Sequence, residues 1–453
     1  MSSILFICSA FAPRNIIGSI RPSKMAKFLV RLGHEVTVFM PEMAPGEPED
    51  SLLMGPEMEK VKRIQVPYGK AYHKIRKTYK YGNGTTGSGV SNSISGFKGF
   101  ARFAFFLLND FTWSRKVIAA IKKDPPEAPY DAVISSYPNL STHWAAAHVK
   151  RRGRARTWLA DFRDPMVYDW QGRLQQMINK RLQRWVEKRS DAVLSVSRDA
   201  MAKFPDAAAS GKLHWVPNGF DLDDIEYSGS KGLHPSVAIP RNINSKLVFA
   251  YTGGLYAGKR DLRVLFRVFR ELIDSAILHE SDIALLYAGN DGSILKKHAS
   301  ELGLVNLVHD FGFVERREAL SIMRAADCTV LCTHNSREDQ GVVPGKLYEL
   351  LLIAKPIIAV INGDVPGSEA KKILEDTNAG IVYEEANHSL DYPLFKASIK
   401  SMLAQKARGE SVQSLLDKQK REAFNYINIT QNVLSIIGRL QLTIDHSERV
   451  SEK

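Results

Sequence analysis

The sequence has few cysteines and no long hydrophobic run. Its 453 residues include only Cys8, Cys328 and Cys332, and their spacing matches neither a disulfide framework nor a zinc site. No run of about 18 apolar residues occurs, so no segment is predicted to span a membrane. The apolar start lacks a basic region before it and is expected to be a buried strand rather than a signal peptide. A reducing, cytoplasmic location is therefore expected, with peripheral contact at the inner face of a membrane as an open alternative.

Several binding motifs are also absent. No G-x-G-x-x-G follows the first apolar run, which disfavours a dehydrogenase. Zinc-finger spacings and aromatic RNA-binding signatures are missing, so nucleic acid is not an expected partner. The net charge of +13 instead favours smaller anions, such as nucleotide diphosphates or acidic lipid headgroups. No metal and no cofactor are predicted.

Apolar, β-branched runs alternate with amphipathic segments, which predicts parallel sheets covered by helices. The length favours two domains. We expect an α/β fold with two Rossmann-like domains in tandem: residues 1–226, a linker at 227–245, and residues 246–410. Residues 411–453 are expected to be a helical segment that packs back toward the N-terminal domain and ends in a polar tail. Strands are predicted near Ile4–Ser9, Glu35–Met40, Ala132–Ser135, Thr157–Asp161, Ala192–Val196, His214–Val216, Leu247–Tyr251, Ala284–Ala288, Leu307–Phe311, Cys328–Cys332, Pro356–Val360 and Gly380–Val382.

One region breaks this alternation. A basic stretch, Lys70–Lys80, precedes a segment rich in Gly, Ser, Asn and Thr at Tyr81–Gly96, which predicts a mobile loop. Six phenylalanines follow within Phe97–Phe111. They fit a core helix, or alternatively an amphipathic flap that meets a lipid-linked acceptor or a bilayer surface.

Two turns of the first half are candidate binding loops, because open α/β sheets bind ligands beyond the carboxyl ends of their strands. Gly18 lies in the turn after the first strand, where a glycine permits close approach of a ligand. Asp161, Arg163 and Asp164 end a later strand, and Pro165 keeps that loop extended. These charges fit either a structural ion pair or a site, and the position favours a site.

The second half of the sequence contains two more candidate binding loops. Gly253 and Gly254 follow its first strand, and Lys259 supplies a cation just before a helix, a combination that suits a diphosphate or a simple turn. Further along, Pro344 fits the first turn of a helix. The amides of Val343 and Gly345 and the charge of Lys346 would then lie at its positive end, and Glu349 one turn on can bind a ribose diol or stabilise the helix dipole.

Together these stretches resemble family 4 of the retaining glycosyltransferases, which have the GT-B fold with two domains facing across a cleft. The likeness runs through RLGHEVTVF, EKRSDAVLSVS, VPNGFDLDD, TGGLYAGK, VHDFGFV and PGKLYELLLIAKPIIAV. The Pro-x-Lys-x-x-Glu core is similar to branches that act in polysaccharide and O-antigen assembly in the cell envelope.

The resemblance implies roles for individual residues. On the donor side, Lys259 matches the diphosphate-binding lysine, Glu349 matches the ribose-binding glutamate, and Phe313 lies in the stretch Gly312–Val314 that contacts the base. On the acceptor side, Arg163 and Asp164 match the catalytic loop, and Gly18 matches the glycine loop.

Two positions depart from the family pattern. A glutamate usually precedes the second glutamate by eight positions, yet Gly341 stands there, and an arginine is replaced by Gly254. Asp339 or Glu338 are candidates to replace the missing acid.

The resemblance implies a retaining, metal-independent hexosyltransferase. It would move a sugar from a nucleotide-diphosphate donor to a glycan or lipid-linked acceptor, with Asp164, Arg163 and Lys259 as catalytic residues. Lys259, Lys346 and the helix N-terminus would stabilise the charge on the leaving diphosphate. A nucleotide-sugar epimerase of the same fold and an inactive nucleotide-sugar-binding relative remain alternatives.

Overall fold

The computed structural model describes residues 1–68, 97–225, 239–240, 243, 245–256 and 258–451. The predicted loop Tyr81–Gly96, the basic stretch Lys70–Lys80 and most of the predicted linker 227–245 lie outside these residues. The described chain divides into two compact units. The first combines the described residues up to Gly219 with the C-terminal residues from Tyr426, and the second spans Phe220–Asn425.

The first unit contains a seven-stranded parallel sheet with the order β3-β2-β1-β4-β5-β6-β7. Its apolar, β-branched sequences are buried on both faces, as in sheets covered by helices. The strands are β1 Ser3–Cys8, β2 Glu35–Pro41, β3 Lys62–Val66, β4 Tyr130–Tyr137, β5 Ala155–Phe162, β6 Ala192–Ser195 and β7 Leu213–Trp215.

Helices cover both faces of this sheet. The helices are α1 Ile17–Arg31, α2 Pro56–Glu59, α3 Phe97–Lys123, α4 Leu140–Arg151, α5 Arg173–Arg189, α6 Pro205–Ala209 and, at the end of the chain, α14 Tyr426–Ser451. Side chains of α1 and α14 share one buried apolar cluster with the strands, and those of α3, α4 and α5 share another. The C-terminal helix therefore belongs to the core of the first unit. It runs to Ser451, where the sequence predicted a polar tail.

The second unit repeats the pattern with six parallel strands in the order β10-β9-β8-β11-β12-β13. They are β8 Leu247–Thr252, β9 Ile283–Ala288, β10 Val308–Asp310, β11 Cys328–His334, β12 Ile357–Asn362 and β13 Gly380–Glu384. The helices are α7 Arg263–Asp274, α8 Gly292–Ser300, α9 Arg316–Ala325, α10 Gly345–Ile353, α11 Glu369–Asp376, α12 His388–Ala407 and α13 Lys418–Arg421. Both sheets confirm the predicted α/β class.

Both sheets reverse their winding direction at one point. In the first, β1 lies between β2 and β4, and in the second, β8 lies between β9 and β11. Ligands of such sheets bind beyond the strand ends at this topological switch point. The loops that follow β8 and β11 are therefore the expected ligand loops of the second unit.

None of the helices in the described ranges is both long enough and apolar enough to cross a membrane.

Candidate functional site

The glycine turn after β8 has a fixed backbone. Gly253 has a φ of 147°, a conformation that residues with side chains rarely adopt. The hydroxyl of Tyr287 donates to its carbonyl at 2.9 Å, and that of Tyr251 donates to the carbonyl of Gly254 at 2.9 Å. A Cβ atom on Gly254 would lie 3.1 Å from a carboxylate oxygen of Asp291. The carboxylate of Asp291 therefore restricts the space for the arginine that the family usually has at the position of Gly254.

Lys259 meets an acid from the other side of the switch point. Its Nζ lies 2.9 Å from Oδ2 of Asp339, in the loop after β11. The same oxygen lies 3.3 Å from Nε2 of His334, the last residue of β11. The hydrogen bond with His334, together with Lys259, lowers the pKa of Asp339 to about 2. The carboxylate is thus charged at neutral pH and neutralises a lysine that is 56% exposed.

The structure distinguishes between Asp339 and Glu338, the two candidates to replace the glutamate that is absent at Gly341. The backbone φ of Gly341 is 78°, so an aspartate or glutamate there would be strained. Glu338 is exposed. Asp339 is the acid that reaches Lys259.

Helix α10 begins at Gly345, one position later than predicted, and Pro344 is its N-cap residue rather than part of its first turn. Glu349 accepts from Nζ of Lys346 at 2.5 Å through one oxygen and from Nε of Arg316 at 2.9 Å through the other. Burial would raise the pKa of Glu349, but the charges of Lys346 and Arg316 outweigh it and lower the pKa to about 2. Each ionised oxygen keeps a lone pair for another donor.

Arg316, the first residue of α9, ties Glu349 to the start of the second unit. Its Nη2 donates to Oδ2 of Asp224 at 2.9 Å, and Asp224 is buried. Glu349 is therefore held in one orientation from two sides. Phe313, in the loop between β10 and α9, is 72% exposed. Val343 lies in the partly exposed stretch before α10.

In the first unit, Arg163 connects the end of β5 to the first turn of α1 and to the end of β4. Its Nη1 donates to the carbonyl of Gly18 at 2.8 Å, and its Nε donates to that of Tyr137 at 2.9 Å. Gly18 lies within the first turn of α1, which begins at Ile17, rather than in a free turn. A Cβ atom on Gly18 would lie 2.6 Å from Nη1 of Arg163, so the absent side chain makes room for the guanidinium. Asp164 is exposed.

Asp161 forms a buried ion pair with Arg21, not with its sequence neighbours Arg163 and Asp164. Arg21 donates to it from Nε at 3.1 Å and from Nη2 at 2.8 Å, and Ser136 donates at 3.1 Å. Nη1 of Arg21 also donates to the carbonyl of Pro217 at 2.6 Å. The side chains of Arg21 and Asp161 are 2% and 3% exposed. This pair joins the end of β5, helix α1 and the end of the first unit.

We expect Asp161→Asn to lower the free energy of unfolding of the first unit by about 3–5 kcal/mol, because it leaves the charge of Arg21 buried without its counter-ion. Urea denaturation followed by tryptophan fluorescence measures this. Lys62 and Asp124 form a matched exposed pair, so Asp124→Asn is expected to cost less than about 1 kcal/mol. Equal losses in both variants would contradict the structural role of the pair.

Three residues of these clusters have no counterpart in the sequence predictions. His334 lies two residues beyond the predicted strand Cys328–Cys332, a position that could have marked it. Arg316 follows Gly312–Val314, the predicted base-contacting stretch. Arg21 shares its helix with Lys24, Lys27 and Arg31, and no sequence pattern distinguishes it from them. The partners of Arg316 and Arg21 are 33 and 140 residues away, whereas His334 contacts Asp339 in the loop that follows it.

The comparisons with known proteins agree with this architecture. Residues 20–219 match a family model described as "Glycosyl transferase 4-like domain". The match covers most of the first unit, including Arg21, Asp161, Arg163 and Asp164. No curated protein matches the sequence significantly.

Solved structures match almost the whole chain. A sucrose-phosphate synthase from Thermosynechococcus elongatus has 13% sequence identity and a TM-score of 0.59, over 98% of this chain and 100% of that chain. An α,α-trehalose 6-phosphate synthase from Burkholderia multivorans has 13% identity and a TM-score of 0.62, over 98% and 100%. A lipopolysaccharide outer core galactosyltransferase has 13% identity and a TM-score of 0.53, over 96% and 99%. The predicted GT-B fold is confirmed.

Proposed function

We propose that this chain, whose residues 20–219 match the family model described as "Glycosyl transferase 4-like domain", transfers a sugar from a nucleotide-diphosphate donor to a glycan or lipid-linked acceptor. The family and the fold support glycosyltransferase activity in general. The observation that carries the donor half of the proposal is the pairing of Lys259 with Asp339 across the switch point of the second sheet.

The second unit would bind the donor. The diphosphate would lie against Lys259 and the N-terminal end of α10, where Lys346 and the amides near Gly345 favour an anion. The free lone pairs of Glu349 would accept from the ribose hydroxyls, and Phe313 would contact the base. When the donor binds, its diphosphate would replace the carboxylate of Asp339 as the anionic partner of Lys259.

The first unit would bind the acceptor. Asp164 is exposed at the end of β5, and Arg163 keeps this loop close to Gly18. As the bond to the leaving diphosphate breaks, negative charge grows on that group, and cations already in position stabilise it without a metal. We propose that the acceptor hydroxyl attacks on the same face, with retention, and gives its proton to the leaving phosphate oxygen.

A lipid-linked acceptor is supported by helix α3. Phe100, Leu108 and Phe111 are 38%, 61% and 45% exposed along its N-terminal half. Trp113 and Val117 in the following turns are buried. The helix therefore buries its C-terminal part in the core and leaves apolar side chains uncovered at the end where β4 also has its carboxyl terminus. An acceptor with a hydrocarbon chain would cover them.

The test is release of nucleoside diphosphate from a panel of nucleotide sugars, with and without candidate acceptors, in the presence of a chelator. We expect turnover of one donor that depends on an acceptor and survives chelation. Turnover without acceptor, giving an isomerised donor, would favour an epimerase. Binding of donors with no turnover under any condition would overturn the proposal in favour of an inactive relative.

A further inference from the structure

The loop before α5 and the first turns of that helix expose apolar side chains. Trp170, Leu174 and Met177 are 50%, 49% and 46% exposed. Because α5 follows β5, these residues lie on the side of the first sheet where the strands end. We name Trp170, Leu174 and Met177 the apolar tip.

The exposure of the apolar tip is fixed by the fold. Asn179 and Gln183, which are buried, bond the carbonyl and the amide of Met166 at 2.9 and 3.0 Å. The amide of Gln176 donates to the carbonyls of Tyr168 and Asp169 at 3.2 and 3.1 Å. Helix α5 thus buries the polar side chains of Asn179 and Gln183 to hold the loop and leaves Leu174 and Met177 exposed, while Val186 further along the helix is buried in the core.

A basic surface continues from the apolar tip. Arg181, Arg184 and Lys188 are exposed, and their helical spacing places them on the same face as Leu174 and Met177. The one acid of the helix is Glu187, which is buried and accepts from the amide of Ala207 at 2.8 Å. The exposed cations of α5 are Arg173, Lys180, Arg181, Arg184, Lys188 and Arg189.

We infer that the apolar tip and the cations of α5 form a docking surface for an anionic lipid bilayer. An interfacial helix combines an apolar part that enters the boundary between headgroups and acyl chains with cations that bind the anionic headgroups. Tryptophan prefers this boundary. The surface lies beside the loop that carries Asp164, so docking brings the acceptor loop to the membrane. This inference rests on the proposed function in one respect: a lipid-linked acceptor would be the reason for the chain to dock on a membrane.

The experiment is cosedimentation of the full chain with vesicles of mixed phosphatidylcholine and phosphatidylglycerol, and with vesicles of phosphatidylcholine alone. We expect binding to the mixed vesicles and little to the neutral ones. Replacing the apolar tip by serine in one triple variant is expected to weaken binding at least about tenfold. Arg181→Glu combined with Lys188→Glu is expected to weaken it about a hundredfold.

Matched variants on the second unit control for composition. Leu390 and Leu394 are 69% and 67% exposed, so replacing both by serine removes similar apolar area elsewhere. Lys297 and Lys400 are exposed, and changing both to glutamate makes the same charge change as the reversal on α5. We expect both control variants to bind vesicles like the parent, and all variants to keep the melting temperature of the parent.

Two results would overturn the inference: a parent chain that does not bind anionic vesicles, or control variants that weaken binding as much as the α5 variants. Binding to duplex DNA without binding to vesicles would also overturn it, since the cations would then serve nucleic acid. Vesicle binding is measured without donor. Docking with no sugar transfer would therefore sustain this inference and contradict the proposed function.

Discussion

Lys259→Ala is expected to lower kcat for donor turnover by about 10²–10³-fold, the effect of removing one preorganised group that stabilises developing charge. The lysine lies at the switch point, and its Nζ is 2.9 Å from a carboxylate that an incoming diphosphate can replace. The charge on the leaving group grows as the glycosidic bond breaks, so the loss appears in kcat more than in KM. Steady-state release of nucleoside diphosphate measures both constants.

Lys297→Ala is the matched control, because it removes an exposed lysine from α8 of the same unit and is expected to leave turnover unchanged. Asp339→Asn supplies a change of opposite sign. Without that carboxylate, Lys259 no longer has to exchange partners, and the affinity for free nucleoside diphosphate is expected to rise several-fold, the range of a partly exposed ion pair. If Lys259→Ala leaves kcat unchanged, or if Asp339→Asn weakens diphosphate binding, the lysine is only a structural partner of Asp339.

Most of the fold could be predicted from the sequence because each buried parallel strand is a short apolar run. Every predicted strand corresponds to one in the structure, with ends that differ by a few residues. β3, Lys62–Val66, was missed, since three of its five side chains are exposed and its sequence KRIQV has no apolar run. An edge strand is defined by its hydrogen bonds to β2, which no local pattern reveals.

The candidate site was less predictable because its contacts connect distant segments. The sequence indicated Lys259 and Glu349 separately. The partner of Lys259 is 80 residues away and that of Glu349 on α9 is 33 residues away. The glycine turns show the same limit. Gly18 suggested a space for a ligand, yet the guanidinium of Arg163 lies against it. Which group occupies the space beside a glycine depends on the tertiary fold.

Glu349→Gln is expected to weaken the binding of ribonucleoside diphosphates about 10- to 100-fold, because a hydrogen bond to a charged group contributes about 1.5–3 kcal/mol. The carboxylate is ionised, with its pKa lowered to about 2, and Lys346 and Arg316 hold it in place. If it binds the ribose diol, the parent chain will prefer a ribonucleotide over its 2′-deoxy analogue, and the variant will lose that preference. Titration calorimetry with both nucleotides measures it.

The variant Asp224→Asn distinguishes binding of the ribose from support of the network around Arg316. Asp224 accepts from Nη2 of Arg316, whereas Glu349 accepts from its Nε, so this variant is expected to lower the melting temperature while the preference for ribose persists. The two variants therefore differ in the readout that matters, since a residue that only supports the network changes stability and leaves the ratio of the two affinities alone. If Glu349→Gln keeps the preference for ribose, its carboxylate serves Arg316 and Lys346 alone, and another group of the second unit must bind the sugar of the nucleotide.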